Sequence, residues 1–79
     1  MNKQEIKKRL KIACIKSNIS RWQFVMKYYG AIIPLSKNGW AGAYQSISNM
    51  LTPNSRDYVQ DWLIKAIEAE EKEHENTTH

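Results

Sequence analysis

Ala43-Tyr44-Gln45-Ser46-Ile47-Ser48-Asn49-Met50-Leu51 is the stretch on which the reading of this chain turns. Taken as a helix, it puts Trp40, Ala43, Tyr44, Ile47, Met50 and Leu51 on one side. Gln45, Ser46, Ser48 and Asn49 fall on the other. The polar side carries no charge, yet each of its side chains both donates and accepts hydrogen bonds. A face that only kept the helix in water would usually carry Lys and Glu. Amides and hydroxyls suit the reading of base edges, where Gln and Asn pair with adenine and Ser meets several bases. The plainer alternative is a solvated helix beside a loop, and the surrounding sequence weighs against it.

Just upstream, residues 30–42 hold all three glycines and one of the two prolines. Asn38-Gly39 is a strong hairpin signal. Ile32, Ile33 and Leu35 around Pro34 equally suit a loop pinned to the core, so residues 31–41 read as either a pinned loop or a small β-hairpin. Further upstream, Ser20 and Gln23 have capping-box spacing, and Ile19 and Phe24 match a hydrophobic staple. A second helix is therefore expected from Arg21 to Tyr29, stopped at Gly30. A first helix is expected from Lys3 to Ser17, ended by Asn18. Its core stripe is Ile6, Leu10, Ala13, Cys14 and Ser17, with Ile12 and Ile15 off it.

Downstream, Thr52-Pro53-Asn54 breaks the chain. Ser55 is a good N-cap for a fourth helix, with Asp57 in its first turn, running from Arg56 to about Glu73. Tyr58, Val59, Trp62, Leu63, Ala66 and Ala69 form its apolar face, leaving Ile64 and Ile67 off that face. Residues 74–79 read as a disordered tail in which His74 and His79 have no role.

Seventy-nine residues make one small domain, expected over 1–73 and of all-α class. Cys14 is alone, so it forms no internal disulfide, and no Cys/His cluster has metal-ligand spacing; a buried structural thiol is expected. The start lacks a signal-peptide core and no run is long enough to span a bilayer, so the chain reads as cytoplasmic with no membrane partner. No paired-carboxylate cleft, Ser/His or Cys/His arrangement or phosphate loop is present, which argues against an enzyme and implies no cofactor. The net charge of +4 is unevenly spread. Residues 1–40 hold nine Lys and Arg against Glu5 alone, while residues 41–79 hold three bases against seven acids. Such segregation is expected when one face meets a polyanion.

The capped second helix and the Gln-Ser face of the third resemble the helix-turn-helix of lambda-repressor-like phage regulators. Ser20-Arg-Trp-Gln23-Phe24-Val25-Met-Lys-Tyr-Tyr-Gly30 looks like the first motif helix of that family. Tyr44-Gln45-Ser46-Ile47-Ser48-Asn49-Met50-Leu51 looks like its recognition helix. The resemblance covers residues 20–51 and departs in two places. Val25 or Met26 stands where the family prefers Ala, and a lengthened turn separates Tyr29 from the third helix. A longer turn is accommodated as a loop, because closure entropy grows slowly with length.

The resemblance implies a compact four-helix domain and a sequence-specific regulator of double-stranded DNA, of the phage or mobile-element repressor type. Tyr44, Gln45, Ser46, Ser48 and Asn49 would meet bases, and Arg21, Lys27, Lys37 and Lys16 would meet phosphates. A homodimer is expected, through helix 4 around Ile64 and Ile67 or through Ile12 and Ile15. The alternative is a small helical adaptor or inhibitor whose basic half binds an acidic protein surface.

Overall fold

Two helices of this chain begin by the same local device. Asn2 Oδ1 accepts the Glu5 N–H at 2.9 Å, and Ser20 Oγ accepts the Gln23 N–H at 3.2 Å. Gln23 Oε1 in turn accepts the Ser20 N–H at 2.8 Å, completing a capping box. In the computed structural model, which describes residues 2–54 and 58–77, four helices follow. They are α1 (Lys3–Ser17), α2 (Arg21–Tyr28), α3 (Gly39–Met50) and α4 (Asp61–Thr77). Asn18 ends α1 in the left-handed region, at φ 56° and ψ 43°, where its short polar side chain is tolerated.

The core forms where α1 packs on α4 and α2, and α2 on α3. Leu10, Phe24, Val25, Ile33, Ile47, Leu63, Ala66 and Ile67 are buried there, with Ile6, Ala13, Cys14, Ala43 and Leu51 around them. Each large side chain taken fully out of water contributes about 1.5–3 kcal/mol, which a radius of gyration of only 12.2 Å makes possible for this chain. The thiol of Cys14 is among the buried groups, and burial pushes its pKa above the ordinary cysteine value.

Between α2 and α3 the chain makes a pinned loop. Among the described residues there is no β-strand, only an isolated bridge between Tyr29 and Ile33. Gly30, at φ +83°, lets the chain reverse so that its N–H reaches the Ile33 carbonyl at 2.8 Å. Ile33 then plugs the core. The Tyr29 hydroxyl clasps the far side of the loop, accepting the Ser36 N–H at 2.8 Å and donating to the Ser36 carbonyl at 3.2 Å. Asn38-Gly39 makes no hairpin. Gly39, at φ +72°, turns the chain directly into α3. Gly42 sits so close to this turn that an added Cβ would meet Asn38 Cβ at 2.9 Å and Ser36 Oγ closer still.

Several sequence expectations need correction. Helix α4 begins at Asp61 and not at Arg56, and Tyr58, expected on its apolar face, precedes it and is exposed. The proposed cap at Ser55 and first-turn Asp57 lie outside the described residues. Ile67 is core, 1% exposed, and Ile64 packs against the core, so neither is an off-core docking residue. At its other end α4 runs on to Thr77, through most of the expected tail. His74 has a partner: its Nε2 lies 2.6 Å from Ser17 Oγ. The expectation for His79 lies outside the described residues.

Candidate nucleic-acid interface

No residue from Asn38 to Asn54 is charged, so the solvent face of α3 is built from neutral groups alone. Ala41, Gln45, Ser46 and Asn49 are exposed along it, and Ser48 is half-buried. Ile47 and Ala43 anchor the opposite side in the core. One turn apart on the helix, Gln45 Nε2 donates to Asn49 Oδ1 at 3.1 Å. That bond uses one of the two Gln45 N–H groups, and on this exposed side chain Oε1 and the second N–H remain as an acceptor and donor pair.

Helical spacing divides the five expected base-contacting residues. Gln45, Ser48 and Asn49 share one arc with Ala41. Ser46 lies beyond the arc, in a shallow groove with Ile33, Pro34, Leu35, Ala43 and Trp62. Tyr44 flanks the other edge and is engaged by α2, its ring stacked on Trp22 with centroids 4.1 Å apart and planes at 23°.

Trp22 also meets Trp40 edge-on, at 4.5 Å and 79°. The sequence pattern assigns Trp40 to the core side of its helix. Instead Trp40 is 41% and Trp22 42% exposed. The two indoles and the phenol form an aromatic ledge at the N-terminal ends of α2 and α3, beside the Gln45 arc. The ledge was missed because Trp22, in the first turn of α2, has no visible partner until the two helices are packed together.

The basic residues also sort into two groups. Lys27 Nζ lies 2.7 and 2.8 Å from the two oxygens of Glu70, and 2.5 Å from Glu73. With its charge matched by α4, its pKa is raised by these bonds and it is withdrawn from the phosphate-contacting set. Lys16 lines a groove with Ser17, Lys27, Glu70, Glu73 and His74, at this same acidic end and away from the α3 arc. Arg9 pairs with Glu71 through two bonds of 2.5 and 3.1 Å, and Lys3 donates to the Thr52 carbonyl at 2.7 Å. Arg21 and Lys37, at the starts of α2 and α3, meet no carboxylate among the described residues.

Glu70 holds the acidic end together. Its side chain is fully buried, yet it accepts hydrogen bonds from Lys27, from the Tyr28 hydroxyl at 3.0 Å and from Ser17 Oγ at 3.1 Å. Burial pushes its carboxyl up, but those bonds outweigh burial and hold it below the usual carboxylate range. Burial and the bond to Glu70 push the Tyr28 phenol up to about 12. Among the described residues no group of three or more His, Cys, Asp or Glu is arranged to hold a metal ion, and no helix is long and apolar enough to cross a membrane. No protein-family model matches the chain, and comparisons with curated proteins and with solved structures likewise found no match.

Proposed function

We propose that this protein is a sequence-specific regulator of double-stranded DNA, with α2 and α3 as a helix-turn-helix and the 29–38 loop as its lengthened turn. The observation that carries this reading is the uncharged solvent face of α3, where Gln45 and Asn49 are exposed and bonded to each other. Such a pair suits the major groove, where Gln or Asn bonds adenine N6 and N7 together. Arg21 and Lys37 meet phosphates on either side and fix the docking without reading sequence. Lys7, Lys8 and Lys11, exposed on α1, add long-range attraction to the polyanion.

One domain of this size spans few base pairs, so the working form on DNA is a homodimer on a two-fold site. Ile12 and Ile15, 42% and 67% exposed, remain as its candidate contact. The same two isoleucines among lysines also favour the second reading, an adaptor that docks on an acidic protein. Selection of bound sites from random duplex DNA separates the two. Enriched sites with two-fold symmetry support the regulator. Recovery of no common sequence would leave the adaptor.

A further inference from the structure

Two tryptophans standing two-fifths exposed side by side need an explanation that the hydrogen-bonding arc does not supply. We propose that the ledge of Trp22, Trp40 and Tyr44 contacts thymine C5-methyl groups, so that the α3 face reads A·T pairs through amide and ring together. This inference rests on the DNA-binding reading above and adds the base-pair class that the site takes.

The chemistry of the two neighbouring surfaces converges on one target. The remaining acceptor and donor of the exposed Gln45 match adenine N6 and N7. The thymine paired with that adenine presents, on the same groove floor, an acceptor oxygen and a methyl group. The methyl is the one apolar feature of the major-groove edges, and the ledge is the aromatic surface adjoining the Gln45 arc. Tyr44 is joined to Gln45 along the chain, and Trp40 stands one helical turn before Tyr44. Trp22 holds both rings from α2, fixing the ledge against the helix that carries the amides.

Size argues for a small occupant. A tryptophan contributes at most about 250 Å² of surface, so two of them at two-fifths exposure offer about 200 Å². A stable protein interface needs about 800 Å² on each partner, and the ledge supplies a minor part of that. One or two methyl groups with the adjoining deoxyribose fit the area available. The α3 face beside the ledge carries no charge from residue 38 to residue 54, and the nearest cations, Arg21 and Lys37, are the two assigned to phosphates.

The test uses the full chain and a duplex recovered by selection from random sequence, resynthesised with deoxyuridine in place of thymidine, one position at a time and then throughout. Removing a contacted methyl should weaken binding about fourfold, the value of one buried methyl or methylene group. Positions outside the contacted pairs should not respond. Trp40→Leu should lessen the thymine preference, and the Trp22 and Trp40 emission, isolated in a Trp62→Phe background, should change on binding the thymine duplex. Should a tryptophan variant fail to fold, the uracil scan of the unaltered protein decides alone. Tight, selective duplex binding with equal affinity for thymine and uracil at every position would overturn this inference and leave the DNA-binding reading standing. Failure to select any duplex would overturn both.

Discussion

The face of α3 and the far end of α4 handle polarity in opposite ways. On α3, neutral amides and hydroxyls stand in water with bonding capacity to spare, and rings lie beside them. At the α4 end, Glu70 is fully buried and met by a lysine, a tyrosine and a serine. The first surface leaves its spare bonding capacity to water. The second is complete in itself, and it withdraws Lys27 and Arg9 from the basic half of the chain. Counting charges along the sequence therefore overstates the unmatched positive charge, because Arg9 and Lys27 are matched by α4 while Arg21 and Lys37 meet no carboxylate among the described residues.

The sharpest way to break the contrast is to remove Glu70. Glu70→Ala leaves the buried Tyr28 hydroxyl without its acceptor and takes one of two carboxylates from the exposed Lys27 ammonium, and should cost about 3 kcal/mol, measured by denaturant unfolding. Glu70→Gln keeps the shape and some hydrogen bonds and should cost less. The pH dependence follows from the directions of the shifts. Because the folded Glu70 carboxyl lies below its ordinary value of 4.5, its contribution is present above that pH and fades as pH falls through the folded value. Tyr28 is shifted upward, from 10.0 to about 12, so its contribution is full below 10 and is lost as pH climbs through that window. Melting temperature against pH should lose part of its acid limb in Glu70→Gln; an unchanged acid limb would mean other carboxylates carry it.

Next in size is a comparison within α3 itself. Ile47 is 0% exposed, and Ile47→Ala should cost about 2–5 kcal/mol. Trp40→Leu keeps much of the apolar bulk of a ring already two-fifths in water and removes the edge-on ring pair, so it should cost about 1 kcal/mol. Equal losses in thermal melts would return Trp40 to the core.

Gln45→Ala addresses function alone. It should leave the fold intact, weaken binding to a selected site by about 1–3 kcal/mol and hardly change affinity for random DNA. If the ratio of the two affinities does not move, α3 is not the reading helix.

The smallest effect divides the cations. Lys37→Ala should reduce the slope of log affinity against log salt by about one unit. Lys27→Ala should leave that slope unchanged, since its charge is already matched, while lowering the melting temperature. A slope change for Lys27 would mean that the acidic end opens on DNA.

Features governed by neighbouring residues were legible in the sequence. Ser20 and Gln23 announce α2, and Asn18 ends α1, because caps depend on residues within one helical turn. Features settled by packing were not. Trp40 has the helical phase of a core residue, but Trp22 meets it at the rim before it can reach the interior. Glu70 looks like one of the seven acids of residues 41–79, although its spacing from Leu63 and Ala66 continues the buried stripe of α4. Read by phase instead of by charge, it would have been singled out. Ile67 lies on that same stripe, one turn after Leu63, so the buried face of α4 is centred further round the helix than Tyr58, Val59 and Trp62 suggest. Asn38-Gly39 fits a hairpin and a helix entry alike, because both use the same positive-φ glycine.

Cys14 gives the molecule a built-in clock. It lies on α1 in the core, its thiol raised in pKa by burial, and the thiolate is the form that reacts with an alkylating reagent. Labelling therefore waits for a moment when α1 lifts away from its neighbours. With reagent in excess and closing faster than reaction, the labelling rate reports the fraction of time the core stands open. As the chain's single cysteine, it records those openings without any added probe.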